Sequence, residues 1–218
     1  MPHYVLRLHT DRFAPGATAS LPAGKRVLYV RDGDAIVRAD GRAAGIAANG
    51  AWFGRGTATV TAGNAGATVL RWELLAGRSP AGDAAGIDSE KTLSQEVTLD
   101  GRDGHLMRCD RVDFPPGGIA YTHVHRGPGI RCLLKGAIRV EVNGRHHDIA
   151  PGGAWFEAGP DPVLALASET EATAFVRVMI LPGELKGKSS IRYVKPEDAD
   201  KPKLQTYRVF VDEPIQLP

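Results

Sequence analysis

A four-residue segment, Gly-Ala-Trp-Phe, occurs twice in this chain, at Gly50–Phe53 and again at Gly153–Phe156. Residues on both sides of the two copies keep the same spacing: Gly33 with Gly136, Val37 with Val140, Gly41 with Gly144 and Gly56 with Gly159. Self-similarity at a fixed period means that one structural unit is repeated along the chain. The sequence therefore predicts an internal duplication.

Each copy is a series of short apolar runs separated by Gly, Pro, Asn and Asp, a pattern typical of strands and turns. In the first copy the predicted strands are residues 25–30, 35–38, 57–61 and 68–74. The dipeptides Asp40-Gly41 and Asn143-Gly144 each lie between two such runs, which predicts a tight β-hairpin in both copies. Many short strands at regular spacing favour a sandwich or barrel of the jelly-roll type. The chain is therefore predicted to be all-β.

The duplication also sets the expected boundaries. Residues 1–78 form the first predicted barrel, and residues 96–182 form the second. Between them, residues 79–95 are the expected linker, because the stretch 77–90 is rich in Gly, Ala, Ser and Pro. Residues 183–218 are charged and dotted with proline, yet they contain strand-like runs. We expect an extended C-terminal arm that covers a sheet edge on this chain or on a partner chain.

Charge and composition exclude several functions. The formal net charge is only +2, with Lys and Arg mixed among Asp and Glu, so a nucleic-acid or membrane partner is not expected. No apolar run has the length of a membrane span, and the first residues do not form a signal segment, so we expect a cytoplasmic protein. The only cysteines, Cys109 and Cys132, are expected to be buried thiols outside any disulfide.

The second copy carries two recognisable motifs. The first runs from Gly117 through His123-Val124-His125 to Gly136, and the second contains Gly144 and Pro151-Gly152-Gly153. In these motifs the chain resembles the cupin superfamily, specifically its two-barrel members, over nearly everything except the linker and the tail. The resemblance implies two tandem cupin-type (jelly-roll) β-barrels with an extended C-terminal arm. It also implies a divalent metal ion, a small-molecule ligand and a homodimer.

This chain departs from the cupin pattern at several ligand positions. The glutamate of the first motif would fall at Gly129 or Ile130, and the last histidine of the second motif falls on Val163. In the first copy, the positions of the histidine pair hold Ser20 and Pro22. The resemblance therefore implies a degenerate metal motif in the second barrel and a first barrel without metal ligands.

The metal hypothesis depends on His123 and His125. Residues two apart on a strand point to the same face, about 7 Å apart, so one ion can reach both rings. Imidazole nitrogens suit Zn, Cu, Ni or Fe, and the expected divalent ion is Fe, Ni, Zn or Mn. Glu157 is the predicted third ligand, because in the cupin pattern the alternating residues after Pro-x-Gly point inward. The alternatives are two histidines that only form hydrogen bonds, and a Glu157 that is a surface loop acid.

Three further side chains are predicted to bind substrate. Arg131 shares the parity of the histidine pair if Gly127 to Gly129 adds no bulge, and an inward guanidinium would bind a carboxylate or phosphate. A solvent-facing Arg131 is the alternative. Tyr121 could add a hydroxyl to the same face, or be a core aromatic, and Trp155 has inward parity.

Three classes of function remain open on the sequence. The first is a metal-dependent cupin enzyme acting on a small organic substrate, for example a dioxygenase. The second is a metal-free epimerase or isomerase in which a histidine is the general base. The third is a noncatalytic barrel that binds a small molecule or has a structural role. Arg71 and Arg177, which correspond in the two copies, are expected to be architectural.

Overall fold

The computed structural model describes residues 3–77, 84, 86–100 and 104–217. The chain divides into two compact units, one formed by residues 1–102 with 215–218 and the other by residues 103–214. Within the described residues, the helical segments are two single 3-10 turns, at Gly183–Leu185 and Pro196–Asp198, and all other regular structure is β-strand. The predicted all-β class is confirmed.

The first unit contains one seven-stranded sheet. Its strands are β1 (His3–Phe13), β2 (Thr18–Leu21), β3 (Lys25–Ala39), β4 (Arg42–Ala47), β5 (Gly50–Gly54), β6 (Ala58–Ala76) and β7 (Asp88–Thr98). They follow the order β4-β3-β6-β1-β7, with β2 also paired to β6 and β5 also paired to β3. The predicted Asp40-Gly41 hairpin joins β3 to β4, and both residues have positive φ, at 50° and 71°.

The two longest strands, β3 and β6, were each predicted as two shorter strands. Lys25–Ala39 is one strand, although the pattern predicted two runs, because a shift of register near Gly33 keeps the ladder with β6 continuous. Gly33 has φ of +76°, and a Cβ there would lie 2.1 Å from the carbonyl oxygen of Gly66. Only glycine fits such a close approach of two backbones, which is why the bulge carries this residue.

The predicted linker differs from the structure over most of its length. Residues 88–95 of that range belong to β7, which pairs with β1 from Asp88 opposite Arg12 to Thr98 opposite His3. Alternating polar residues on β7 gave a loop-like composition, because one face of this edge strand is exposed. Residues 79–83 and 85 lie outside the described residues. The boundary between the two units falls at 102/103, later than predicted.

A buried ion network lies in the first unit. Arg71, which is 0% exposed, donates from Nε to Asp11 at 2.7 Å and from Nη1 to Glu73 at 2.6 Å. Arg26 donates to the other oxygen of Glu73 at 3.0 Å. Each buried charge therefore has a partner of opposite sign, which is the condition for keeping it out of water. The architectural role expected for Arg71 agrees with these contacts.

The second unit contains two five-stranded sheets. Its strands are β8 (His105–Phe114), β9 (Ile119–His125), β10 (Gly129–Lys135), β11 (Ile138–Val142), β12 (Arg145–Ile149), β13 (Ala154–Glu157), β14 (Val163–Ala167), β15 (Thr173–Pro182), β16 (Ile191–Tyr193) and β17 (Thr206–Ile215). One sheet has the order β13-β10-β15-β8-β17 and the other β12-β11-β14-β9-β16. The Asn143-Gly144 hairpin joins β11 to β12, again with positive φ at both residues.

The C-terminal arm supplies one strand to each sheet of this unit. β16 pairs with β9, from Ile191 opposite His125 to Tyr193 opposite His123, and β17 lies next to β8. Arg108 on β8 fastens the arm, since it donates to both carboxylate oxygens of Asp212 at 2.9 and 3.0 Å. It also donates to the carbonyl of Leu185 at 2.6 Å. The arm therefore covers sheet edges on its own chain, one of the two predicted arrangements.

A polar layer separates two apolar clusters inside the second unit. The larger cluster contains Val112, Phe114, Leu133, Val163 and Phe175 among others, and the smaller one contains Leu106, Met179, Leu181 and Leu185. Between them along β8 and β15 lie Asp110 and Arg177, which are buried. Charged residues are rarely placed in a core unless they are paired. The polar layer is therefore the candidate functional site of this unit.

Cys109 and Cys132 are buried and form no disulfide, as predicted. Within the part of the chain that the structure describes, no helix combines the length and apolar character needed to cross a membrane.

The Arg108–Asp212 pair gives a test of how the arm is held. Asp212→Asn should lower the free energy of unfolding by about 2 to 4 kcal/mol, because Arg108 would lose its partner while remaining largely buried. Native-state hydrogen exchange should show the loss in the amides of β17.

The matched control is Glu184→Gln, which removes the exposed Arg126–Glu184 pair on the same arm. It should cost less than about 1 kcal/mol, since exposed ion pairs contribute little. Equal effects of the two substitutions would contradict the role given to Arg108.

Candidate functional site

His123 and His125 meet in the polar layer. Both come from β9 and are buried, at 5% and 3% exposure. Their Nε2 atoms are 3.2 Å apart, and the two rings are nearly perpendicular, at 88°. The expectation that the two rings share one face of the strand is met by this geometry.

The contacts of the two rings with each other, with Tyr121 and with Ser190 fit one set of tautomers. His123 Nδ1 lies 2.7 Å from the carbonyl oxygen of Tyr121, so Nδ1 carries the hydrogen and Nε2 is the acceptor in the neutral ring. His125 Nε2 can then donate to His123 Nε2. Ser190 Oγ lies 3.4 Å from His125 Nδ1 and can donate to it. A chain of donors therefore runs from Ser190 through His125 to His123 without requiring a cation.

Glu157 lies beside the histidine pair and is 8% exposed. Trp155 Nε1 donates to Glu157 Oε1 at 2.9 Å. Arg131 Nη2 lies 2.6 Å from Glu157 Oε2, so the two side chains form an ion pair. The angle at this contact is not that of a hydrogen bond, and neither atom has a hydrogen-bond partner among the described residues. Glu157 Oε2 is also 3.4 Å from His125 Nε2. The carboxylate is therefore held mainly by Trp155 and Arg131.

Arg131 is completely buried. Its Nη1 donates to the carbonyl of Gly129 at 2.7 Å. Burial lowers the pKa of the Arg131 guanidinium to about 10, so the side chain remains charged at neutral pH. Burial also lowers the pKa of His123, and it lowers that of His125 well below the usual value, with the charge of Arg177 acting in the same direction. Both rings are therefore neutral at pH 7.

A second guanidinium approaches the pair from β15. Arg177 Nε donates to Asp110 Oδ1 at 2.7 Å, and Arg177 Nη1 lies 3.5 Å from His125 Nε2. The ladder places Arg177 directly opposite Asp110 on one side and opposite Arg131 on the other. The layer thus contains two guanidinium groups and two carboxylates, which balance in charge.

The residues present do not form a closed metal site. Among the described residues, no group of three or more His, Cys, Asp and Glu side chains is arranged to hold a metal ion. Val163 lies directly opposite His123 in the ladder, so an apolar side chain stands where the last cupin histidine was expected. Glu157 lies opposite Gly129, where the cupin glutamate was expected, but it is engaged by Arg131. The ligand set His123, His125 and Glu157 stays a prediction.

The structure decides several of the alternatives left open by the sequence. Arg131 is buried, so its solvent-facing alternative is wrong, and Glu157 is not a surface loop acid. Trp155 points inward and packs on Phe175 with ring centroids 5.2 Å apart. Tyr121 contributes its carbonyl to His123, whereas its ring lies against the amino groups of Lys201 and Lys203, at 4.7 and 5.8 Å. Substrate binding by Tyr121, Arg131 and Trp155 stays a prediction.

Sequence reasoning missed Asp110, Arg177 and Ser190. Arg177 was given an architectural role because Arg71 corresponds to it, yet Arg177 also contacts the histidine pair. Strand parity with Phe114 could have placed Asp110 inside. Ser190 carried no signal, because its position depends on the path of the arm.

The Arg131–Glu157 pair can be tested by a double-mutant cycle. Arg131→Met and Glu157→Leu should each cost about 3 to 5 kcal/mol, since each leaves one buried charge without its partner. The double variant should be more stable than either single variant. Native-state hydrogen exchange of residues 104–214 measures the three values, and additive losses would contradict the pairing.

Comparison with known proteins gives the fold. No protein-family model and no curated protein matches the chain. Among solved structures, a mutant of oxalate decarboxylase from Bacillus subtilis has a TM-score of 0.63 at 13% identity, covering 90% of this chain and 73% of that one. AerE from Microcystis aeruginosa has a TM-score of 0.59 at 12% identity, covering 82% of this chain and 88% of that one. A provisionally named glyoxylate-induced protein from Pseudomonas aeruginosa has a TM-score of 0.57 at 15% identity, covering 81% and 74%.

Identities this low carry the fold and not the activity. The chain has the cupin fold: it is all-β, with two tandem cupin-type (jelly-roll) β-barrels and an extended C-terminal arm.

Proposed function

We propose that this chain is a small-molecule-binding cupin whose C-terminal barrel works without a metal ion. The ligand would be recognised by the polar layer around His123 and His125, and the first barrel would be architectural. This corresponds to the metal-free and noncatalytic alternatives left open by the sequence.

The observation that carries the proposal is the position of Arg131. Its buried guanidinium lies 2.6 Å from Glu157 Oε2, so Glu157 already has a cation beside it. With Arg177 paired to Asp110, the layer holds no excess negative charge. A divalent ion bound to the histidine pair would add two positive charges next to two guanidinium groups, and burying uncompensated charge is strongly unfavourable.

The hydrogen bonds of the histidine pair support the same proposal. Two neutral rings that faced each other with both lone pairs would repel, and a metal ion is one way of avoiding that. The chain from Ser190 to His125 to His123 supplies another, since each donor meets an acceptor. Neutral histidines in such a chain can donate a proton to a bound ligand or accept one from it.

A metal-dependent enzyme acting on a small organic substrate, such as a dioxygenase, is the second candidate. The 3.2 Å separation of the two Nε2 atoms favours it. Two ligand atoms that each lie about 2 Å from one ion are separated by a distance close to this value. Fe, Ni, Zn or Mn would be held by His123, His125 and Glu157, and would supply Lewis-acid or redox chemistry. Another structure of the Bacillus subtilis oxalate decarboxylase concerns its Mn(II) centres, which belong to that enzyme.

Metal analysis of the full chain separates the two candidates. Protein purified without chelator or added metal should contain far less than one equivalent of Fe, Ni, Zn or Mn, and His123→Ala should not change that content. Adding each ion in turn should not raise the melting temperature. A specifically bound ion would stabilise the fold by about 2.7 kcal/mol at a hundredfold excess over its Kd.

His146→Ala is the matched control, because His146 is an exposed histidine beside another on β12 and can bind ions weakly at the surface. Stoichiometric metal that is lost in His123→Ala but kept in His146→Ala would overturn the metal-free proposal in favour of the second candidate.

A further inference from the structure

A cavity of about 430 Å³ opens in the second unit between the barrel and its C-terminal arm. Residues of β8 and β15 line its barrel side, here called the floor, and arm residues between 187 and 212 line the other side, here called the walls. Its size falls in the range of small-molecule sites in proteins. Ser190, which ends the hydrogen-bond chain from the histidine pair, also lines it. The cavity is therefore joined to the polar layer.

The charge of the lining is positive. Four cations, Arg108, Arg177, Lys188 and Lys203, face the cavity with only two carboxylates, Asp110 and Asp212. A cavity lined mainly by one sign of charge attracts ligands of the other sign. This excess favours an anionic ligand.

Arg177 is the cation at the floor of the cavity. Its side chain is 6% exposed, and Nε is occupied by Asp110. A guanidinium has five N–H donors in a planar fork, so Arg177 retains donors beyond the Nε–H used by Asp110. Carboxylates match this fork, because two oxygens can be bound at once.

Gln205 supplies a different signal. It lines the cavity and is 5% exposed, and its Nε2 donates to the hydroxyl of Tyr207 at 3.2 Å. Its Oε1 is buried and has no hydrogen-bond partner among the described residues. If the side-chain amide of Gln205 were flipped, Oε1 would face the Tyr207 hydroxyl and Nε2 would be the atom without a partner. A buried polar group left unsatisfied costs free energy, so a ligand hydroxyl that reached Oε1 through a small shift of the Gln205 side chain would lower that cost.

The remaining walls are apolar and aromatic. Tyr193, Ile191, Tyr207 and Val209 line the cavity, and the ring of Tyr207 lies 5.9 Å from the guanidinium of Arg177. Tyr207 and Val209 are 45% and 54% exposed, which is unusual for large apolar side chains clustered on one strand. A flat apolar body between these walls would cover them.

We propose that this cavity binds a hydroxylated aromatic carboxylate. Its carboxylate accepts from Arg177 at the floor, its ring lies between the arm tyrosines, and its hydroxyl donates to Gln205. The inference relies on the proposed function only for the premise that this barrel binds a small molecule.

Calorimetric titration of the full chain tests the ligand class with four probes. 4-Hydroxybenzoate should bind at least tenfold more tightly than 4-hydroxybenzamide, which is neutral and of the same shape. It should also bind several-fold more tightly than benzoate, which lacks the hydroxyl. Inorganic phosphate should bind at least tenfold more weakly, because it cannot use the apolar walls.

Two variants assign the effects to the cavity. Val209→Trp fills the space from an exposed position on β17 and should abolish binding of 4-hydroxybenzoate. Gln205→Leu should remove the preference for 4-hydroxybenzoate over benzoate while keeping the preference for the acid over the amide. Val194→Ala, at an exposed arm residue that does not line the cavity, is the matched control and should bind like the unchanged protein. Circular dichroism of each variant checks the fold.

Equal affinity for acid and amide, unchanged binding in Val209→Trp, or no binding of any probe at millimolar concentration would overturn the inference. The metal content decides the proposed function separately. If the protein contains stoichiometric metal and still binds the acid, the inference about the cavity stands and the metal-free proposal is overturned. If the protein is free of metal and binds no acid, the inference is overturned and the metal-free proposal stands.

Discussion

Compensation of buried charge is the constraint on which the C-terminal barrel depends. Arg131 and Arg177 enter its interior from neighbouring strands, and each is matched by one carboxylate, Glu157 or Asp110. A guanidinium kept from water without such a partner would cost several kcal/mol. The apolar clusters on either side fix the strands, and the ion pairs fix which side chains can meet His123 and His125.

The same physics holds the arm. Without the arm, the edges of β8 and β9 would expose unpaired backbone groups, and Arg108 would lose Asp212. By pairing with both edges, the arm forms a wall of the cavity and brings Ser190 to His125. A segment that reads as a tail is thus part of the candidate site.

Much of the fold could be predicted because strands and tight turns leave local signals. The Asp40-Gly41 and Asn143-Gly144 hairpins were predicted from two residues each, since positive φ at both central positions strongly favours Asn, Asp and Gly. β7 was mistaken for linker, because an exposed edge strand need not show apolar alternation. The sequence pattern predicted two short strands in place of each of the long strands β3 and β6, because a bulge looks like a turn in the sequence.

For the candidate site, the sequence by itself determined which side chains a strand presents to one face: His123 with His125, and Trp155 with Glu157. That follows from the two-residue period of a strand, which is local. Only the tertiary structure decided that Arg131 lies beside Glu157, that Asp110 pairs with Arg177 and that Ser190 reaches His125. These contacts join residues far apart in the chain, and cross-strand register and the path of the arm set them.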